Sequence, residues 1–139
     1  VTAMLAAAAR LGAPLGHDFC AISLSDNLKP WTLIERRLRL AAEADFVIAL
    51  YNPASKARPD RIVRAFRLLR DRRSDTTPVM MARAVGRPDE DIVVTTLDAA
   101  DPRSADMRTL VIVGSSMTRI VPRPGGRCWV YTPRFATDA

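Results

Sequence analysis

A three-layer α/β domain, helices covering both faces of a mixed sheet of about five strands, is the fold class this chain predicts. Three observations carry that expectation. Helical and strand patterns alternate through the first half, as they do when crossover helices cover a sheet. The run Phe46-Val47-Ile48-Ala49-Leu50 has no polar alternation, which marks a strand covered on both faces. Two later strand-like runs are joined through only Gly86-Arg87-Pro88-Asp89, short enough for an antiparallel pair, so the sheet becomes mixed.

Taken in order, Thr2 to Leu11 reads as an Ala-rich helix with Gly12 as its stop. Phe19 to Leu24 alternates as a short strand. Ser25-Asp26-Asn27 is a polar loop, and Pro30 stands where a helix begins. Trp31, Ile34, Leu38 and Ala41 then recur at helical spacing, through about Ala44. Phe46 to Leu50 is the second strand, stopping at Tyr51-Asn52-Pro53. A basic helix follows from about Pro59 to Arg73, with Ile62, Phe66 and Leu69 inward and Arg61, Arg64 and Arg67 expected on a solvated face. Pro78 to Ala82 and Ile92 to Leu97 are the third and fourth strands. Asp98 to Asp106 is a polar connection with room for one helical turn, and Thr109 to Val113 is the fifth strand, ending at Gly114-Ser115-Ser116. Residues 1–121 are expected to form the α/β domain, and 122–139 a tail with a possible edge strand at Cys128 to Tyr131.

The chain of 139 residues suits one domain with a proper core. Its apolar runs fall well short of the ~20 residues that cross a bilayer, so no membrane role is expected. The opening residues already read as helix, and the chain is expected to be a segment whose upstream part is absent. Cys20 and Cys128 lie in no metal or redox spacing, and reduced thiols in a cytoplasmic protein are expected. His17 is the only histidine, so a site built on several imidazoles is excluded and no metal is expected. Beside Asp18 it is a weak catalytic candidate against a loop-anchoring role.

The net charge of +6 favours an anionic partner. A polycarboxylate small molecule, nucleic acid and a solvated helix face all fit. Aromatic residues make up only 6% and none alternates with the arginines as a stacking platform, which weighs against nucleic acid. No Gly-x-Gly-x-x-Gly, phosphate loop or nucleophile elbow is present. Asp89-Glu90-Asp91 lies in a tight turn and is expected to be solvated.

What remains is a set of strand ends, where ligands of open α/β sheets sit: Ser23-Leu24-Ser25-Asp26, Leu50-Tyr51-Asn52, Arg83-Ala84-Val85 and Gly114-Ser115. Several of these could border one crevice, and Ala84 would leave room for a flat ring. Tyr51-Asn52 offers an apolar platform, a phenol and an amide, although an ordinary strand-to-turn junction has the same signature. Such a site orients more than it activates. Methyl transfer from a sulfonium donor is a reaction that asks for little else.

Strings spread along the chain resemble the tetrapyrrole methylase family, in its branch acting at carbon 17 of a corrin precursor. They include Val1-Thr2-Ala3, Leu11-Gly12-Ala13-Pro14-Leu15, Ile22-Ser23-Leu24-Ser25-Asp26, Ala44 through Pro53, Ala82-Arg83-Ala84-Val85-Gly86-Arg87, Met107 through Ser116, and Val130-Tyr131-Thr132-Pro133-Arg134. The resemblance implies the C-terminal domain of a two-domain enzyme that binds S-adenosylmethionine between its domains. The N-terminal domain, with its Gly-rich and Gly-Asp-Pro loops, would be absent from this chain. By position it implies cofactor contacts at Thr2, Ala3, Tyr51, Ala84 and Val85, and the strand-end reading adds Asn52 to them. The implied reaction methylates precorrin-3B at carbon 17, with ring contraction to precorrin-4, in cobalamin biosynthesis. A homodimer of the full-length protein is implied as well. Lys56, Arg58 and Arg83 are the candidates for substrate carboxylates, Arg83 equally as a structural ion-pair partner. No catalytic acid or base is assigned. The alternative is a non-catalytic module binding anions or RNA through the arginine helix.

Overall fold

The computed structural model describes residues 2–16 and 18–135. His17 therefore lies outside the described residues. Among the described residues, three helices, α1 (Ala3–Leu11), α2 (Trp31–Glu43) and α3 (Arg61–Arg70), accompany eight strands. These are β1 (Gly12–Ala13), β2 (Phe19–Ser23), β3 (Val47–Tyr51), β4 (Pro78–Arg83), β5 (Asp91–Thr96), β6 (Thr109–Val113), β7 (Arg119–Val121) and β8 (Trp129–Tyr131). The polar connection before β6 holds a 3₁₀ turn, Pro102–Ser104, started by the Asp101 side chain on the amide of Arg103.

The main sheet has the order β2-β3-β6-β4-β5. β2 and β3 are parallel, while β6 is antiparallel to both β3 and β4, and β5 to β4. Strands β2, β3 and β4 thus point one way, and β5 and β6 the other. This is the expected mixed sheet of five strands.

Alternation along each central strand divides the core in two. Ile48, Leu50, Val79, Met81, Val111 and Val113 pack with Ile34 and Leu38 of α2 and with Ile62, Phe66 and Leu69 of α3. Val47, Ala49, Met80, Ala82, Leu110 and Ile112 face the other way, onto Ala7 and Leu11 of α1 and Val130 of β8. Both faces of β3 are buried, which is why its sequence carries no polar alternation.

The third layer is only partly helical. At Gly12 the backbone takes φ 121°, a conformation that disfavours side chains, and the chain leaves α1 as β1. β1 pairs parallel with β8, and β8 antiparallel with β7, in a second sheet of order β1-β8-β7. The expected edge strand near Cys128 to Tyr131 is therefore the middle strand of its sheet. Thr132 fixes this layer by donating its hydroxyl to the carbonyl of Pro14 and its amide to that of Ala13.

The basic helix also departs from expectation. Arg61 is not on a solvated face: it is 4% exposed and paired with Asp26 at 2.6 Å. Arg70 donates to the carbonyls of Leu97 and Ala100, and Arg73 to those of Ala41, Phe46 and Gly114. Only Arg64, stacked 4.6 Å over Trp31, and Arg67 match the exposed reading.

Candidate functional site

The shared direction of β2, β3 and β4 brings their carboxyl ends to one edge of the sheet, beside the starts of β5 and β6. A cleft of about 570 Å³ opens there, within the usual size of a small-molecule site. Its cause is a lack of side-chain volume. Ala3 and Ala6 stand on one face of α1, Ala82 ends the inward pattern of β4, and Ala84 follows it. Four methyl groups from three directions leave a space that larger side chains would fill. Val85 and Leu110 complete the apolar lining, with Tyr51, Asn52 and Thr109 as its polar members. Met107, Arg87 and Arg108 form the exposed side.

Each wall is fixed locally. The Tyr51 hydroxyl accepts from the amide of Met4 at 3.1 Å, tying the first turn of α1 to the end of β3. That amide is one of the N–H groups a helix start leaves without an internal partner. The Tyr51 carbonyl accepts from Leu24, and the Asn52 amide donates to Ser23 Oγ at 2.8 Å, so the ends of β2 and β3 are joined. Asn52 (φ 53°) and Ala84 (φ 52°) both take left-handed backbone. Asn tolerates it, whereas alanine is strained there unless its surroundings hold it. At Ala84 the hold is a bond from its amide to the carbonyl of Arg108.

Charged groups gather at the outer side of this turn. Arg83 pairs with Asp106 at 2.8 Å and reaches Asp89 at 3.6 Å. Hydrogen bonding from Arg108 holds the Asp89 carboxyl below its ordinary value. The amide of Gly86, then Arg10, do the same for Glu90. Burial works to raise the pKa of Asp106, but bonds from Arg83, Arg108 and Thr109 outweigh it and the net shift is downward. Arg83 moves the opposite way, raised by its bond to Asp106.

Five of the six expected cofactor residues line the cleft: Ala3, Tyr51, Asn52, Ala84 and Val85. The sixth, Thr2, turns its hydroxyl to the amide of Leu5 as the N-cap of α1. Of the expected substrate contacts, Lys56 is exposed on the loop after β3, and Arg58 pairs with Asp26 at 3.3 Å; neither lines the cleft. Arg83 shares its guanidinium between Asp106 and Asp89, the ion-pair role given above as its equal alternative. Gly114-Ser115 is corrected. β6 runs antiparallel to its neighbours, so its end lies beside the start of β4, where Gly114 donates to Pro78. The start of the same strand, Thr109-Leu110, is what reaches the cleft. Sequence reasoning missed it, along with Ala6, Ala82, Arg87, Met107 and Arg108. The signal available for Ala6 was its three-residue spacing from Ala3 on a helix. Asp89-Glu90 is ion-paired rather than simply solvated.

Among the described residues, no group of three or more His, Cys, Asp or Glu could hold a metal ion, and no helix is long and apolar enough to cross a membrane.

Known proteins are similar to this chain in sequence and in fold. A precorrin-3B C(17)-methyltransferase from Sinorhizobium sp is 66% identical over 139 residues, all of this chain and 55% of that protein. The crystal structure of the methyltransferase CobJ superposes with a TM-score of 0.87 at 54% identity, covering 96% of this chain and 54% of that one. A uroporphyrin-III C-methyltransferase from Thermus thermophilus, solved in complex with S-adenosyl homocysteine, shares the fold at a TM-score of 0.57 and 23% identity, over 82% of this chain and 49% of its own. The chain thus spans about half the length of the relatives it matches. The description Tetrapyrrole (Corrin/Porphyrin) Methylases fits residues 1–101, and the chain belongs to that family.

Proposed function

We propose that the cleft is half of a donor site for S-adenosylmethionine, and that the chain is the C-terminal half of a methyltransferase acting at carbon 17 of precorrin-3B. The observation that carries this reading is the convergence of Ala3, Tyr51, Ala84 and Val85, positions carried over from the family, with the strand-end residue Asn52, on one small-residue cleft. Ala84 and Val85 supply a wall flat enough for an adenine ring. The Tyr51-Asn52 junction supplies the adjoining polar edge, and Thr2-Ala3 stands at the seam with upstream polypeptide. That polypeptide furnishes the opposite wall.

The bound donor supplies a methyl group already activated on a sulfonium, so the transfer asks no metal of this chain. What the chain contributes is orientation and exclusion of water, which can account for much of a methyl-transfer rate. The product is the ring-contracted precorrin-4 of cobalamin biosynthesis. The charge excess suits a substrate bearing several carboxylates. Lys56, exposed on the loop after β3, is the freest candidate for one of them. Arg58 shares Asp26 with the buried Arg61 and so meets a carboxylate only at its outer side. The full-length protein works in the cytoplasm as a homodimer. An anion- or RNA-binding role for α3 loses support, because Arg61 and Arg70 are committed within the fold and only Arg64 and Arg67 of its expected basic face stay exposed.

Calorimetry with S-adenosylhomocysteine tests the reading. Binding is expected for the full-length gene product and weak or absent for this chain alone. Binding to the full-length product that is indifferent to bulk at Ala84 would place the donor elsewhere.

A further inference from the structure

The acidic run Asp89-Glu90 reaches three of the elements that wall the cleft, α1, the turn after β4 and the segment leading into β6, without lining it. Asp89 makes a two-pronged pair with Arg108, at 2.9 and 3.0 Å, and also faces Arg83 at 3.6 Å. Arg83 in turn holds Asp106, whose other oxygen accepts from the amide of Arg108 at 2.9 Å. The result is a closed ring through Asp89, Arg108, Asp106 and Arg83, three of its links ion pairs and the fourth the backbone amide of Arg108. It clips the turn after β4 to the segment that leads into β6. Glu90 works on the other side. One of its oxygens accepts from the amide of Gly86 at 2.8 Å and from Arg10 at 3.2 Å. Arg10 stands on α1 seven residues after Ala3 and four after Ala6, the two alanines that form the helical wall.

We infer that Asp89 and Glu90 are positioning residues for the donor, a two-carboxylate clasp that fixes the spacing between α1, the Ala84-Val85 turn and the Met107–Leu110 wall. The inference rests on the donor-site reading above. Its physical basis is the strained backbone of Ala84. A non-glycine residue in left-handed conformation persists when its surroundings over-determine it. Here the carbonyl that Ala84 bonds belongs to Arg108, the residue Asp89 grips. Release of that grip frees the turn to relax, and the flat wall offered by Ala84 and Val85 tilts away. Release of Glu90 detaches the helical wall. Pairs this exposed contribute little to global stability, so the clasp acts on the shape of the cleft more than on the fold.

The test measures S-adenosylhomocysteine binding to the full-length gene product at low salt. Asp89→Ala and Glu90→Ala should each weaken it about three- to five-fold, the most that exposed pairs usually support. The thermal midpoint should stay close to that of the unaltered protein. Asp89→Glu, which keeps the charge, should recover most of the loss. Glu43→Ala, which removes the distant pair with Arg72, should change nothing. At 1 M salt, where exposed pairs are screened, the gap should close for Asp89→Ala and narrow for Glu90→Ala, which also loses the bond from the amide of Gly86. Equal affinity of the unaltered protein, Asp89→Ala and Glu90→Ala at low salt would overturn the inference and leave the donor site standing. A salt-independent gap, or an equal loss in Glu43→Ala, would overturn it too. If the unaltered full-length protein fails to bind, the donor-site reading falls and the clasp falls with it.

Discussion

At the amino end of β3 a single arginine gathers three backbone carbonyls, while at the carboxyl end of the same strand four alanines leave a space. Arg73 donates to Ala41, Phe46 and Gly114, and so binds the end of α2, the start of β3 and the exit of β6 together. Asp45, in left-handed backbone at φ 63°, adds a second clip by accepting from the amide and hydroxyl of Ser116. The cleft end has no such central group. Its turns are held from the rim by carboxylates, and its middle is bounded by methyl groups. One end is closed by a cation pointing inward, and the other is kept open by charges placed outside. This contrast explains how one small sheet can be rigid and still present a site.

The comparison breaks most visibly at Arg73. Burial presses its guanidinium pKa down, with Asp45 and then Cys20 acting against that, so the charge is held at a cost. Its bonds to three carbonyls offset that cost. Arg73→Leu should remove about 2–4 kcal/mol of stability, because buried acceptors lose a charged donor. Urea denaturation measures it. A loss under about 0.5 kcal/mol, the range of ordinary surface changes, would mean that water replaces the guanidinium and the closed end is not closed.

At the open end the largest effect is expected at Ala84. A β-branched residue at φ 52° adds backbone strain of about 1–3 kcal/mol and fills the cleft as well. Ala84→Val should therefore weaken donor-analogue binding to the full-length protein by about tenfold or more, roughly 1.4 kcal/mol. Ala84→Gly, which relieves strain without adding volume, should be neutral or slightly stabilising. Paired titration and melting curves separate the two. Equal affinities for Val and Gly at this position would show that the space beside Ala84 is not used.

How much of this contrast the sequence could reveal follows from the range of each signal. The strands were legible because Phe46 to Leu50 and Thr109 to Val113 are contiguous apolar runs, and the helix stripes because Ile34, Leu38, Ile62 and Phe66 recur locally. Tyr51-Asn52 and Ala84-Val85 were legible as strand ends and through family strings. The direction of β6 was not. Its insertion between β3 and β4 is set by pairing across the sheet, and only that pairing decides whether Thr109 or Ser115 reaches the cleft. Arg61 was misjudged for a similar reason, since helical spacing places it outward, and its partner Asp26 lies 35 residues away. Strands β1 and β7, of two and three residues, are too short for any period to register.

A smaller effect sharpens the link between the cleft and α1. Tyr51→Phe keeps the ring and removes the acceptor for the amide of Met4. One hydrogen bond of this kind contributes about 0.5–1.5 kcal/mol, so a modest drop in denaturation midpoint is expected. The amide of Met4 should also exchange faster with solvent, while the core amides of β3 keep their protection. Faster exchange throughout β3 would instead make Tyr51 a core residue whose part in the cleft is incidental.

The smallest effect is expected from acid, and it falls on the cleft end alone. Asp89 and Glu90 have folded pKa values held below the ordinary 3.8 and 4.5. Groups shifted in this direction stabilise the folded arrangement fully above the ordinary values, and that contribution is lost as pH falls through the lowered ones. Between neutrality and about pH 5 the turn should not change. Below about pH 4 the clasp should loosen, and the amide of Gly86, which bonds Glu90, should lose protection before the core strands do. The contacts of Arg73 run to carbonyls, which do not titrate, so those contacts have no matching acid transition. Amide exchange followed from pH 6 to pH 3 reads both ends at once. Should the amides near Gly114 and Ser116 open first, the closed end would be the weaker of the two and the contrast between them would fail.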